Sequence, residues 1–185
     1  MTHYLLICFD RLLSLFFLII LLPFILIILL IVFLNDFNSP LFTQKRVGKN
    51  LAIFTIYKIR SMRIERLPVS SYKTTQVNDE RITSIGYFIR KYSLDELPQL
   101  INILQGHMSF VGPRPVTIHE EVNFSKEHWK LRHSVKPGLS GLAQIYKPKD
   151  IFEQQMLERL TIENSSFIFY FKVILKTLKV FNKNI

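Results

Sequence analysis

Two consecutive carboxylates, Asp95 and Glu96, are the side chains of this 185-residue chain best placed to do chemistry. They stand in Ser93-Leu94-Asp95-Glu96, two residues ahead of Pro98. One reading is purely architectural: Ser93 as N-cap with Glu96 reaching back makes a capping box. Pro98 weakens it, because the residue before a proline is pushed out of helical geometry, so a regular helix would begin only at Leu97 or Pro98. The carboxylates would then sit at a helix N-terminus, where free N–H groups also favour a phosphate. Lys58, Arg60, Arg90 and Arg114 are cations in turn or strand settings around this pair. Arginine forks match phosphate oxygens, and Pro113-Arg114-Pro115 would hold one such fork with little entropy left to lose. Singly, each cation is an ordinary solvated charge. Together they suggest an anionic phosphate substrate beside a divalent cation held by carboxylate.

Other chemistries find no residues to carry them. There is no P-loop, and Gly138 and Gly141 do not make a dinucleotide fingerprint. His119-Glu120-Glu121 lacks a second histidine four residues on, so no zinc-protease helix is present. A single cysteine, Cys8, excludes an internal disulfide framework and a cysteine-built metal site.

The elements that must position the acidic pair fall into two parts, an anchor over residues 1–40 and a domain over 41–185. Half the chain is apolar (49%), yet its net charge is +10. The two properties are segregated. Leu12–Leu34 carries no charge and is broken only by Ser14 and Pro23, long enough for a membrane segment of ~20 apolar residues. It is too long for the apolar core of a signal peptide. Pro23 divides it into halves of 11 residues, each reaching roughly 16 Å, half the depth of a bilayer core. A spanning helix with a tolerated proline and a kinked, re-entrant hairpin fit these residues equally well. Lys45, Arg46, Lys49, Lys58 and Arg60 follow soon after, which puts the domain on the cytoplasmic side.

Within the domain, Leu41–Val47 and Leu51–Arg60 read as strands joined by Gly48-Lys49-Asn50, and residues 63–80 as a polar, mobile connection. Helices are expected over Thr83–Tyr92, over Leu97–Leu104 with Gly106 past its end, and around His119–His133. Gly112–Pro115 and Lys136–Gly141 read as loops. Residues 167–185 place Lys172, Lys176, Lys179 and Lys183 on one helical face with apolar residues around the rest. Such a helix suits a headgroup layer, the alternative being a terminal helix packed on the core. Nucleic-acid binding is the weaker use of the charge, since basic residues beside a membrane anchor are explained by anionic lipid.

The stretch 93–115 (SLDELPQLINILQGHMSFVGPRP), with 42–48 (FTQKRVG), 56–62 (IYKIRSM) and 130–145 (KLRHSVKPGLSGLAQI), resembles the bacterial sugar transferase family, small monotopic polyprenyl-phosphate phosphoglycosyl transferases. The resemblance implies a predominantly helical α+β fold with a re-entrant N-terminal membrane hairpin broken at Pro23, a short β-hairpin and interfacial amphipathic helices. The family's usual serine before that proline is Leu22 here. It further implies transfer of a sugar 1-phosphate from a UDP-sugar to polyprenyl (undecaprenyl) phosphate at the inner leaflet, with release of UMP, at the start of glycan assembly. On this footing Asp95 matches the nucleophile, which forms a covalent phosphosugar intermediate, and a ligand of Mg²⁺. Glu96 matches its acidic partner. Lys58, Arg90 and Arg114 match cations around the phosphates, and Arg60 belongs to the same basic set.

Departures from the family pattern lie downstream. Tyr146-Lys147-Pro148 stands where Asn-Gly-Arg is usual, leaving Lys147 or Lys149 as substitute charges. A usual aspartate is Glu158, a usual Tyr-Tyr pair is Leu160 and Thr161, and another usual aspartate is Tyr170. In the family this region bears on donor recognition, so Glu158 joins the expected substrate-binding residues. A catalytically impaired homologue acting as a membrane-bound scaffold is the alternative function.

Overall fold

A computed structural model describes residues 2–64, 79–164 and 166–183. The expected mobile connection falls mostly on 65–78, outside the described residues. Among those described the fold is mostly helical, with seven α-helices and four short strands.

The apolar block forms α1 (Thr2–Asp36), which runs without interruption through Pro23. Proline lacks an N–H, so this helix loses one backbone bond at its middle. One face of α1 lies along the domain for most of its length. Leu6, Phe9, Leu13, Leu18 and Leu21 pack on a core of Phe54, Ile56, Leu100, Ile103, Met108, Phe110 and Tyr170. Further along, Ile28 and Val32 join Ile59 and Ile89 in a second core. The remaining faces leave residues such as Leu12, Ile19 and Leu30 more than half exposed.

β1 (Leu41–Val47) and β2 (Ile53–Ile59) form the expected antiparallel hairpin, with Phe42 opposite Lys58 and Arg46 opposite Phe54. The turn needs left-handed backbone at Asn50 and Leu51. Alternation along β2 puts Phe54, Ile56 and Lys58 on one face. α2 (Ser84–Lys91) is capped by Thr83, whose side chain accepts from the Gly86 N–H. α3 (Gln99–Leu104) ends at Gly106, whose φ of 84° suits the left-handed stop that glycine supplies.

Two expectations are corrected. The stretch Lys136–Gly141, read as a loop, contains β4 (Gly138–Ser140), which pairs in parallel with β3 (Ser109–Val111) just ahead of the Gly112–Pro115 loop, three residues each. Their backbones approach so closely that a Cβ on Gly138 would meet the Gly112 nitrogen at 2.1 Å, which only glycine permits. The helix expected around His119–His133 is divided: a 3₁₀ stretch (Ile118–Asn123) stops at Phe124, and Ser125 caps a new helix, α4 (Lys126–Arg132). The chain continues through α5 (Leu142–Tyr146), α6 (Ile151–Glu163) and α7 (Phe167–Lys183). α7 carries three stripes. Tyr170 and Val173 are buried on the domain, Ile168, Leu175 and Leu178 are exposed and apolar, and Lys172, Lys176 and Lys179 are exposed.

Polar networks tie the anchor down at both ends. At one, the Tyr170 hydroxyl donates to the Asp10 carboxylate while accepting from the Phe110 N–H (3.2 Å), with Ser109 Oγ 3.0 Å away. At the other, the Arg60 guanidinium donates to both Asp36 oxygens (2.5 and 2.6 Å) and to the Ser39 carbonyl. A third network knits α4 to α6. Glu158 accepts two bonds from Arg132 (3.0 and 3.1 Å), one from Gln154, and lies 2.9 Å from His128 Nε2.

Replacing Tyr170 by Phe removes the hydroxyl that donates to the buried Asp10 carboxylate and accepts from the Phe110 N–H, leaving Asp10 with Ser109 and the Phe110 backbone. The expected loss is about 1–3 kcal/mol of stability. Tyr146→Phe, which removes only the exposed contact with Lys176, is expected to change stability by less than about 0.5 kcal/mol. Thermal denaturation of both variants in one detergent measures the difference, and equal stability of the two contradicts the assignment.

Candidate active site

The acidic pair owes its position to a break in the helix rather than to a cap. Ser93 adopts φ 50°, ψ 27°, and its side chain caps nothing, so the capping box does not form. The left-handed turn stops α2, and Leu94–Glu96 becomes a 3₁₀ turn with Pro98 as N-cap of α3. Leu94 packs into the second core with Ile28, Val32 and Ile59, which sets Asp95 and Glu96 beside the second half of α1.

β2 brings the cation. Lys58 Nζ lies 2.8 Å from Glu96 Oε1 and 3.6 Å from Asp95 Oδ2, bridging the two. Asn102, absent from the expected site residues, holds this geometry. Fully buried on α3, it donates to the Thr55 carbonyl (2.7 Å) and accepts from the Tyr57 N–H (3.1 Å), locking α3 to β2 one residue from Lys58. An asparagine inside an apolar helix was its only signal in the sequence.

Arg114 approaches from the other side, Nη1 3.8 Å from Glu96 Oε1, with its side chain more than half exposed. Its loop is stiff for reasons beyond its prolines. The carbonyls of Pro113, Arg114, Pro115 and Val116 accept in turn from Gly138 N, Arg132 Nη2, Arg46 Nη1 and Val47 N. Arg90 leaves α2 toward Ser61 Oγ (3.4 Å), and its charge acts on Asp95.

The two carboxylates are driven apart electrostatically. Burial pushes the Asp95 pKa above the ordinary carboxylate range and Glu96 adds to this, against Lys58 and Arg90. Burial also works against Glu96, but Lys58 and Arg114, with Gln99 nearby, outweigh it and hold Glu96 below the ordinary range. Adjacent acids of opposite tendency fit one permanently anionic partner and one tunable nucleophile or ligand.

Lys58, Arg90, Arg114, Asp95 and Glu96 are thus gathered at one place, and two expected members are not. Arg60 is buried and committed to Asp36 at the end of α1, because a guanidinium among backbone carbonyls needs that carboxylate. Glu158 is 1% exposed and committed to Arg132, His128 and Gln154. Its link to the site is indirect, through Arg132 to the Arg114 carbonyl. Tyr170, expected with the donor-recognition region, ties α7 to α1 instead. Lys147 and Lys149 are exposed and do not line the hollow beside Glu96. That hollow is bounded by Ile56, Lys58, Arg114 and three residues not expected in the site, Arg46, Gln99 and Gln144.

Among the described residues no group of three His, Cys, Asp or Glu side chains stands ready for a metal. Asp95 nonetheless fits Mg²⁺, which takes one or two carboxylates and completes its shell with phosphate and water. Glu96 Oε1 is engaged by Lys58, whereas Asp95 Oδ2 lies farther from it.

The bacterial sugar transferase profile matches residues 1–184. The chain is 43% identical over 145 residues to the exopolysaccharide production protein PSS of Rhizobium leguminosarum bv. phaseoli, covering 74% of this chain and 71% of that one. It is 42% identical over 159 residues to the galactosyl transferase CpsE of Streptococcus agalactiae, covering 79% of this chain and 35% of the relative. It is 41% identical over 138 residues to the UDP-glucose:undecaprenyl-phosphate glucose-1-phosphate transferase of Escherichia coli K12, covering 74% and 30%. The match thus takes in most of the first relative but only about a third of the other two. With the profile matched over nearly its whole length, the chain belongs to the bacterial sugar transferase family.

Proposed function

We propose that this protein transfers a sugar 1-phosphate from a UDP-sugar to a polyprenyl phosphate such as undecaprenyl phosphate, releasing UMP and starting exopolysaccharide or other glycan assembly on the lipid. The observation that carries the reading is the Asp95–Glu96 pair bracketed by Lys58, Arg90 and Arg114 beside the apolar helix. Relatives named as UDP-sugar:undecaprenyl-phosphate transferases support it.

In this reading Asp95 Oδ attacks the sugar-linked phosphorus, an aspartyl O–P bond forms, and the bond to the second phosphate breaks, its electrons leaving with UMP. An oxygen of the polyprenyl phosphate then attacks the same phosphorus and regenerates the carboxylate. Covalent catalysis divides one hard displacement into two. Lys58, Arg90 and Arg114 offset charge on the transferring group, and Glu96 keeps Lys58 and Arg114 aimed there. Mg²⁺ held by Asp95 would supply further charge neutralisation on the phosphates. The impaired-homologue alternative loses support, because Glu158 and Tyr170 serve packing.

The membrane arrangement follows from the packing of α1. Leu6 and Val32 both rest on the domain, 26 residues or about 39 Å apart along the helix. A helix held against one water-facing domain at both ends is poorly placed to cross a ~30 Å core. We therefore read α1 as entering one leaflet only, with the exposed apolar stripe of α7 at the same surface and the domain on the cytoplasmic face. With Cys8 replaced by Ser, cysteine placed at Tyr4 and at Asn38 should react with an impermeant thiol reagent from the same, cytoplasmic side. Labelling of position 4 from outside would mean a spanning helix.

Protein in nanodiscs with Mg²⁺, undecaprenyl phosphate and a panel of UDP-sugars should release UMP with at least one donor. Asp95→Asn should abolish release and Lys58→Met lower it roughly 10²–10³-fold. No release with any donor contradicts the reading. The pH dependence carries a sign. The Asp95 pKa is raised in the metal-free protein, so an infrared titration without Mg²⁺ should show its carboxylate band growing in along a pH limb above the usual ~3.9 for aspartate. Glu96→Gln removes a like charge and should move that limb to lower pH, and Lys58→Met to higher pH. A limb that stays in place contradicts the assignment of Asp95.

A further inference from the structure

Three cations meet beside the first half of α1, each brought there by a different tie. Arg11 follows Asp10, which the Tyr170 hydroxyl holds against the domain. Lys136 precedes Pro137, whose carbonyl accepts from the Ser109 N–H (2.9 Å) at the start of β3. Lys49 stands in the β1–β2 turn, where the neighbouring Asn50 N–H donates to the His133 carbonyl (2.7 Å). Arg11 and Lys136 converge over Gly106, past the end of α3. The point that a Cβ would occupy on this glycine lies 2.9 Å from Arg11 Nη2 and 3.6 Å from Lys136 Nζ, so the absence of a side chain there leaves them room. Burial pushes the Lys136 ammonium below its ordinary pKa; Asp10 opposes this, and the charges of Arg11 and Lys49 add to it.

Like charges this close repel, and an anion among them would relieve it. Asp10, the acid whose charge reaches Lys136, is 4% exposed and bonded to Tyr170. Among the described residues Arg11, Lys49 and Lys136 form no ion pair and donate no side-chain hydrogen bond. The surroundings say what kind of anion fits. Leu15 and Leu22 follow Arg11 at i+4 and i+11, on the same side of α1, and are 43% and 50% exposed. A phosphate at the cations thus sits at the head of an apolar track. A free anion would use only the cations, whereas a lipid uses both. A headgroup bearing an amine would bring a fourth cation to the cluster, so an amine-free one suits it better.

We propose that Arg11, Lys49 and Lys136 bind the headgroup phosphate of an anionic phospholipid, with an acyl chain lying along Leu15 and Leu22. This lipid is not the acceptor of the transfer reading. The turn carrying the acidic pair rests through Leu94 on Ile28 and Val32, and Ile28 is 17 residues or about 25 Å further along α1 than Arg11. The proposal therefore stands whether or not that reading does. Bound here, the lipid holds the start of the apolar run at the headgroup layer and so sets the depth of α1.

The test is native mass spectrometry of the full-length protein released from detergent micelles holding phosphatidylglycerol and phosphatidylcholine with matched chains. The wild type should retain one phosphatidylglycerol in preference to phosphatidylcholine. Arg11→Gln combined with Lys136→Gln should weaken phosphatidylglycerol binding roughly 25-fold, about fivefold for each cation lost near a lipid surface. Arg11→Gln alone, on an exposed side chain, should cost about fivefold and serves if the double variant does not fold. Lys172→Gln with Lys179→Gln removes the same charge from the exposed stripe of α7 and should leave that binding unchanged. An equal loss in both double variants overturns the proposal, since the attraction is then diffuse. So does equal retention of the two lipids. Displacement of phosphatidylglycerol by an equal concentration of glycerol 1-phosphate also overturns it, making the cluster a free-anion site. A KM for undecaprenyl phosphate that rises in the Arg11→Gln, Lys136→Gln variant while phosphatidylglycerol binding stays unchanged overturns it as well, making the cluster an acceptor site.

Discussion

Two carboxylates on neighbouring residues, both largely buried, repel each other and resist ionisation unless a cation stands between them. Lys58 is that cation, and much of the structure serves to put it there. The β1–β2 register sets which face Lys58 takes, Asn102 fixes β2 against α3, and the left-handed Ser93 turns Asp95 and Glu96 toward it. The result is a division of labour. Glu96 stays charged by holding Lys58 and Arg114, and burial pushes Asp95 the other way.

The same economy of buried charge governs the anchor. α1 has no charge between Arg11 and Asp36, and its two aspartates meet partners on the domain, Tyr170 at one end and Arg60 at the other. These contacts, with the apolar face between them, lay the helix along the domain and set the acidic pair beside its second half.

Features set by local chemistry could be read in the sequence. The uncharged run, the hairpin, the helix α2 and the Gly106 stop of α3 each depend on a few adjacent residues. What escaped reading depends on distant partners. β3 and β4 are three residues each and exist because Gly112 and Gly138 let their backbones meet. Arg60 and Glu158 look like phosphate-site residues by charge, but charge names only a kind of partner, and here the partners are Asp36 and Arg132. The capping box at Ser93 was a sound local pattern overridden when Lys58 claimed the Glu96 side chain. Asn102 carried no signal beyond a polar residue in apolar company, and its role appears only once β2 and α3 are brought together.

The central claim is that Asp95 forms the bond to phosphorus. It is tested most directly by incubating the protein with Mg²⁺ and a UDP-sugar that supports UMP release, without polyprenyl phosphate, and mapping the product by mass spectrometry. The account predicts a mass increase of one sugar phosphate on the peptide containing Asp95, lost when undecaprenyl phosphate is added and absent in Asp95→Asn. Turnover with no such adduct, or an adduct on another residue, would contradict it.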